Sequence, residues 1–212
     1  FSINNIAVSK LASKCGTPLY CYSYEKIKEN IKNLKKNFNS LSALICFAVK
    51  SNSNLKIISE IGKMGLGADV VSKGELLKAL KAKIKPNKIV FSGVGKTITE
   101  LSFAIEKKIL LINVESESEI IDIENIAKLK KRKVNIGIRL NPNTDAKTLN
   151  KISTGKKENK FGVSEKVFFE LVNYVNNSKF IKLKCLSVHI GSQILSNKPY
   201  EKMLRVVDKI IK

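Results

Sequence analysis

No segment of the 212-residue chain stays apolar over the roughly 20 residues that a membrane-spanning helix requires. No charged-then-apolar signal segment opens it either, and Phe1 stands where an initiator methionine would be. The sequence is therefore expected to begin inside a longer gene product. Cysteine is sparse: Cys15, Cys21, Cys46 and Cys185 lie far apart, and none forms the close C-x-x-C pair that metal ligation favours. A secreted disulfide scaffold would be shorter and richer in cysteine, so free thiols in a reducing cytoplasm and no bound metal are expected. Arginine is scarce within a net charge of +21, the only examples being Arg132, Arg139 and Arg205. Nucleic-acid readers lean on arginine forks and exposed aromatics, and the lysines here are spread along the chain, which argues against that partner.

What is present is alternation. From about Ser42 onward, short β-rich runs trade places with amphipathic stretches of helical period. Leu44 to Val49 reads as the first buried strand, and Leu55, Ile58 and Ile61 mark its helix. Ala68–Val71, Ile89–Phe91, Leu110–Val114, Val134–Leu140 and Leu183–Ile190 read as five further strands, each followed by an apolar helical stripe. A long polar loop is expected from Asn141 to Lys160. Most units recur at about 20 to 25 residues, as βα units of a parallel sheet do. The fold class is thus α/β: a TIM-type (β/α)8 barrel, incomplete in this chain at about six βα units. Ahead of it, Thr17 to Tyr22 reads as an isolated strand of a second, mostly absent β domain. Ile27, Ile31, Leu34 and Phe38 follow as a helical stripe. The division expected is residues 1–22 in the β domain and 23–212 in the partial barrel.

Chemically capable side chains collect where the strands end. These are Lys50, Asp69 with Ser72 and Glu75, Ser92, Glu115, Arg139 with Asn141, and His189 with Ser192. In such barrels chemistry sits at that rim. Lys50 closes a run of six apolar residues, where desolvation favours a neutral amine of the kind that forms Schiff bases with aldehydes. The bland alternative is a lysine whose head simply reaches water past the strand. His189, the single histidine, is read either as a flat ring covering an aromatic cofactor or as a core histidine satisfied by a carbonyl. Gly93-Val94-Gly95-Lys96-Thr97 imitates a phosphate-binding P-loop, but the glycine that motif requires five residues before its second one is replaced by Val90.

Several motifs together resemble the diaminopimelate decarboxylase family, pyridoxal-phosphate enzymes of the alanine-racemase-like barrel fold. They are Thr17-Pro18-Leu19-Tyr20, Phe47-Ala48-Val49-Lys50-Ser51-Asn52, Gly67 to Leu76, Ile89 to Thr97, Asn113-Val114-Glu115-Ser116, Asp145 to Gly162, and His189-Ile190-Gly191-Ser192-Gln193. The resemblance implies pyridoxal 5'-phosphate carried on Lys50, with His189 stacked on its ring and Ser192 near its phosphate. It also implies Asp69 and Glu75 in the network beside lysine and ring, Arg139 orienting groups around the histidine, and no assigned role for Lys160. The reaction it implies is decarboxylation of meso-diaminopimelate to L-lysine, in a cytoplasmic homodimer. Family parts expected beyond residue 212 include a glycine-rich phosphate loop and a cysteine-bearing segment, so the chain alone is expected to show no turnover. Alternatives of the same fold are decarboxylases for ornithine, arginine or a carboxylated polyamine, and a non-catalytic pyridoxal-phosphate-binding protein.

Overall fold

The computed structural model describes residues 1–144 and 161–212. The chain opens with a short antiparallel pair, β1 (Ser2–Ile3) and β2 (Ile6–Ala7), followed by helix α1 (Val8–Cys15). The strand expected from Thr17 to Tyr22 does not form; these residues are exposed and carry no strand pairing. An extended segment becomes a strand only when a neighbour takes its N–H and C=O groups, and none among the described residues does so. Helix α2 (Tyr24–Asn37) begins where Ser23 Oγ accepts the N–H of Lys26. Of its expected apolar stripe only Ile31 is buried, while Leu34 and Phe38 are exposed.

The βα units then run without reversal. They are β3 (Cys46–Ala48), α3 (Leu55–Lys63), β4 (Gly67–Val70), α4 (Lys73–Lys81), β5 (Ile89–Phe91), α5 (Ile98–Lys107) and β6 (Leu111–Val114). After these come α6 (Glu117–Leu129), β7 (Val134–Arg139), α7 (Glu165–Asn176), β8 (Ile181–Ser187) and α8 (Lys198–Ile211). All six strands from β3 to β8 are parallel and neighbour one another in chain order. This is the α/β barrel arrangement expected, in six strands. Most of the helices start the same way: Asn54, Ser72, Thr97, Ser116 and Ser164 each offer a side-chain oxygen to a first-turn N–H. Such caps are worth about 1 kcal/mol apiece and point the helix N-termini at the rim where the strands end.

Side-chain alternation divides the sheet into two faces. Ala68, Val70, Ile89, Phe91, Ile112, Val114, Ile136 and Ile138 pack with Ile58, Leu76, Leu101, Ile120 and Ile123 of the helices in one dry core. The opposite parity, including Ala48, Asp69, Val90, Asn113 and Arg139, lines a cavity. Two glycines let strands or side chains approach closely. At Gly67 a Cβ would stand 2.1 Å from the Lys88 carbonyl oxygen and 2.8 Å from Cys46 Sγ. At Gly137, opposite Asn113 in the ladder, it would collide with Asn113 Oδ1 at 2.4 Å.

The P-loop look-alike resolves into a structural device. Lys96 is almost fully buried, and its ammonium donates to the carbonyls of Gly93 (2.6 Å) and Asn113 (2.8 Å) and to Glu119 Oε1 (2.5 Å). Three donors meet three acceptors, so none is left for a phosphate. Lys96→Ala, which strands Glu119 as a buried unpaired charge, is expected to lower unfolding free energy by about 3–5 kcal/mol. The double variant Lys96→Met/Glu119→Leu should lose clearly less in the same denaturant titration.

Candidate active site

The cavity at the C-terminal ends of the strands has a volume of about 610 Å³. Lys50 lines it from a single 3-10 turn, Val49–Ser51, directly after β3. Val49 is fully buried and anchors that turn, and Ser51 Oγ closes it on the Ala48 carbonyl at 2.7 Å. Of the six residues expected as strand, Cys46, Phe47 and Ala48 form one, and the lysine that follows is exposed, as in the reading where its head reaches water. An apolar run marks burial, whereas a ladder requires a neighbour, and among the described residues β3 pairs with β4 alone, through Cys46, Phe47 and Ala48.

Asp69 enters from β4 and Ser92 from the end of β5, with Ser92 Oγ donating to Asp69 Oδ1 at 2.6 Å. Asn113 Nδ2 on β6 donates in turn to Ser92 Oγ at 3.0 Å. Arg139 closes β7, pairing with Glu115 Oε1 at 2.8 Å while both side chains are nearly buried. Its second nitrogen donates to the His189 carbonyl at 3.4 Å. Glu115 Oε2 takes the N–H of Gly162, a residue at φ +71 whose Cβ would strike the Arg139 carbonyl. That docking lays residue 163 beside Leu140 as a parallel bridge and sets the Phe161 ring 4.9 Å from the Arg139 guanidinium carbon. His189 and Ser192 complete the lining from just past β8. The strand expected to run to Ile190 ends at Ser187, so His189 is an exposed rim residue and not a core histidine.

Lys50, Asp69, Arg139, His189 and Ser192 therefore face one cavity. Glu75 does not line it; its Oε2 accepts the N–H of Val71 at 2.9 Å, holding the turn behind the wall. Lys160 and most of the Asp145–Gly162 stretch lie outside the described residues. Sequence reasoning passed over Cys46, Asn113 and Phe161 as lining groups. Asn113 and Phe161 fall inside motifs quoted for the family resemblance without being assigned to the site, and Cys46 was signalled only by strand parity.

Burial pushes the Asp69 carboxyl above the usual range, against the pull of the Ser92 hydroxyl, Lys50 and Arg139 and with a push from Glu75. Protein atoms around His189 strip enough water from its ring to lower its basicity, and the positive charges of Arg139 and Lys50 lower it further. Burial also lifts the Cys46 thiol to about 11, leaving it an inert wall. The site joins an accessible amine, a ring held toward its neutral form, a carboxyl and a fixed guanidinium. A volume of this size accommodates a small cofactor. The donor set suits an aldehyde on a flat, anionic ring such as pyridoxal phosphate: an amine for the carbonyl, an imidazole for a face, and polar loop residues for the phosphate. Among the described residues no cluster of three or more His, Cys, Asp or Glu could hold a metal ion, and no helix is long and apolar enough to cross a membrane.

The fold and this amine-centred rim define a class, and comparison agrees with it. Residues 24–212 match the family model described as pyridoxal-dependent decarboxylase, pyridoxal binding domain, and the chain belongs to that family. Pyridoxal phosphate is the cofactor this membership implies. Within the family, the chain is similar to the diaminopimelate decarboxylases. It is 49% identical to that of Helicobacter pylori over 92% of this chain and 48% of the relative. It is 44% identical to that of Campylobacter jejuni over 96% of this chain and 50% of the relative. The crystal structure of the Helicobacter pylori enzyme complexed with L-lysine superposes with a TM-score of 0.94 at 46% identity, covering 97% of this chain and 52% of that one. The chain spans about half the length of these relatives.

A raised Asp69 pKa means the folded state holds this proton more tightly than the unfolded chain. The stability it contributes is complete below the ordinary value near 3.8 and is lost as pH rises through the elevated folded value. Asp69→Asn is accordingly expected to raise the melting temperature of the cofactor-free protein at pH 7–8 and to have no stabilising effect at pH 3. For His189, the imidazole proton resonance, assigned by its loss in His189→Gln, should titrate below the ordinary 6.5.

Proposed function

We propose that the protein carrying this chain removes carbon dioxide from meso-2,6-diaminopimelate to give L-lysine, a lysine-biosynthetic step, with pyridoxal phosphate as cofactor. The observation that carries the reading is that Lys50, Asp69, Arg139 and His189 converge on one cavity at the C-terminal rim of six parallel strands. The bound cofactor supplies an electron-withdrawing ring that accepts the electron pair left by the departing carboxylate. The amine of Lys50 would be the group that holds the cofactor through its aldehyde. His189, held toward its neutral form, would lie against the cofactor ring. Arg139, kept immobile by Glu115, orients groups around the histidine and sets the charge of the rim. Asp69 places a carboxyl in the field of the Lys50 amine, and Ser192 offers a hydroxyl to the phosphate. Glu75 acts from behind, through the Val71 turn.

The choice of diaminopimelate over ornithine, arginine or a carboxylated polyamine is supported by the names of the relatives, and by the L-lysine in the Helicobacter pylori structure. Because those relatives are about twice as long, we assign turnover to the whole protein and expect none from residues 1–212 alone. We also assign residues 23–212 to the cofactor-binding unit and 1–22 to a separate β-containing region, a division supported by the family match starting at residue 24. A cytoplasmic homodimer completes the reading.

Borohydride reduction of the whole protein with pyridoxal phosphate should fix the cofactor on the peptide containing Lys50, and Lys50→Ala should remain unlabelled. Carbon dioxide release should be fast from meso-diaminopimelate and at least about 100-fold slower from ornithine or arginine, as expected when a site's buried polar groups are left unpaired. Cofactor retention without release from any of the three would favour a binding protein instead.

A further inference from the structure

We infer that Asn113 and Ser92 are positioning residues: a three-residue relay, Asn113 to Ser92 to Asp69, holds the Asp69 carboxyl as a hydrogen-bond acceptor beside the Lys50 amine. The inference deepens the amine chemistry proposed above and rests on it only for its catalytic consequence. Its basis is a chain of two hydrogen bonds, Asn113 Nδ2 to Ser92 Oγ and Ser92 Oγ to Asp69 Oδ1.

A serine hydroxyl has one proton. At 2.6 Å that proton goes to Asp69 Oδ1, so the remaining lone pairs of Ser92 can only accept, and Asn113 must present its NH2 group at 3.0 Å. The amide oxygen is thereby turned away and buried over Gly137, where it finds no donor among the described residues. Leaving a buried acceptor unmet is unfavourable, so the amide orientation is dictated by its other end. The arrangement presents a hydroxyl donor to Asp69 Oδ1, and a donor at that oxygen favours the charged carboxylate.

The surroundings keep the relay rigid. Lys96 ties the Asn113 carbonyl to that of Gly93, next to Ser92, fixing the ends of β5 and β6 relative to each other. Glu119, the partner of Lys96, also accepts the Glu115 N–H two residues beyond Asn113. Gly137 leaves room for the amide where any Cβ would collide. The charged and titratable groups acting on Asp69 come from several surrounding elements: Cys46 from β3, Lys50 from the turn after it, Glu75 from α4 and Arg139 from β7, while β5 contributes none. Ser92 is the one of its partners that supplies a direct hydrogen bond.

The test reads the Asp69 proton itself. In the whole protein without cofactor, isotope-edited infrared spectroscopy of 13C-labelled aspartate, assigned with Asp69→Asn, gives the midpoint of Asp69 titration. Ser92→Ala should move that midpoint up by about one pH unit, the size of one lost hydrogen bond to a charged group. Ser92→Thr should restore it, and Asn113→Ala should move it part of the way. An unchanged midpoint in folded Ser92→Ala overturns the relay, as does a Ser92→Thr midpoint equal to that of Ser92→Ala. If Ser92→Ala does not fold, the Asn113→Ala midpoint decides alone: an upward move supports the relay and no move overturns it. In the cofactor-loaded protein the acidic limb of the rate-against-pH profile should shift in the same direction. Failure of borohydride to label Lys50 would remove the functional reading while leaving the cofactor-free titration, and hence the relay, standing.

Discussion

Everything at this site depends on the twofold alternation of side chains along six parallel strands. One parity is driven into the helices by the hydrophobic effect, and its occupants (Ala68, Val70, Ile89, Phe91, Ile112, Val114) are fully or nearly fully buried. The register this enforces leaves no choice about the other parity. A slip of one residue in β6 or β7 would bring Asn113 or Arg139 into the dry layer and an isoleucine into the cavity. The chemistry is therefore located by packing forces that have nothing to do with it.

Charge fixes what alternation has only located. Two buried ion pairs, Arg139 with Glu115 and Lys96 with Glu119, stand at the rim and join through the Glu115 N–H. Buried pairs of this kind add little net stability, since the desolvation of both partners offsets most of their attraction. Their value is geometric: each member has so many ligands that it can hold only one position. Arg139 is gripped by Glu115 and the His189 carbonyl and lies against the Phe161 ring. A guanidinium so constrained is a fixed positive wall. It adds to the burial that lowers the basicity of His189, and it is one of several charges acting on Asp69.

Much of this was legible in the sequence, because burial leaves a periodic trace. Lys50 stood out by ending an apolar run, Arg139 by closing another, and His189 by being alone of its kind. The order of parallel strands followed from the unit repeat. What the sequence did not show were facts of hydrogen bonding and of approach in space. Val49 reads as the last residue of a strand in the sequence and stands in a turn, and among the described residues β3 has β4 alone as a neighbour. Thr17 to Tyr22 have strand composition but no strand partner among the described residues. Glu75 carries the right charge one helical turn too far back, and so serves the Val71 N–H instead of the cavity. Phe161 reaches Arg139 through a left-handed glycine, which no periodicity announces.

Gly67 lies at the entrance of β4, remote from the rim, and its lack of a side chain has a reach beyond its own neighbourhood. The Lys88 carbonyl and Cys46 sulfur both press into the space a methyl group would take. Cys46 opens the short strand that leads straight to Lys50. Strands are stiff rods, so a wedge driven between them at one end is felt as a tilt at the other. A single carbon atom added at the floor of the sheet would thus be read out as misaimed chemistry at its mouth.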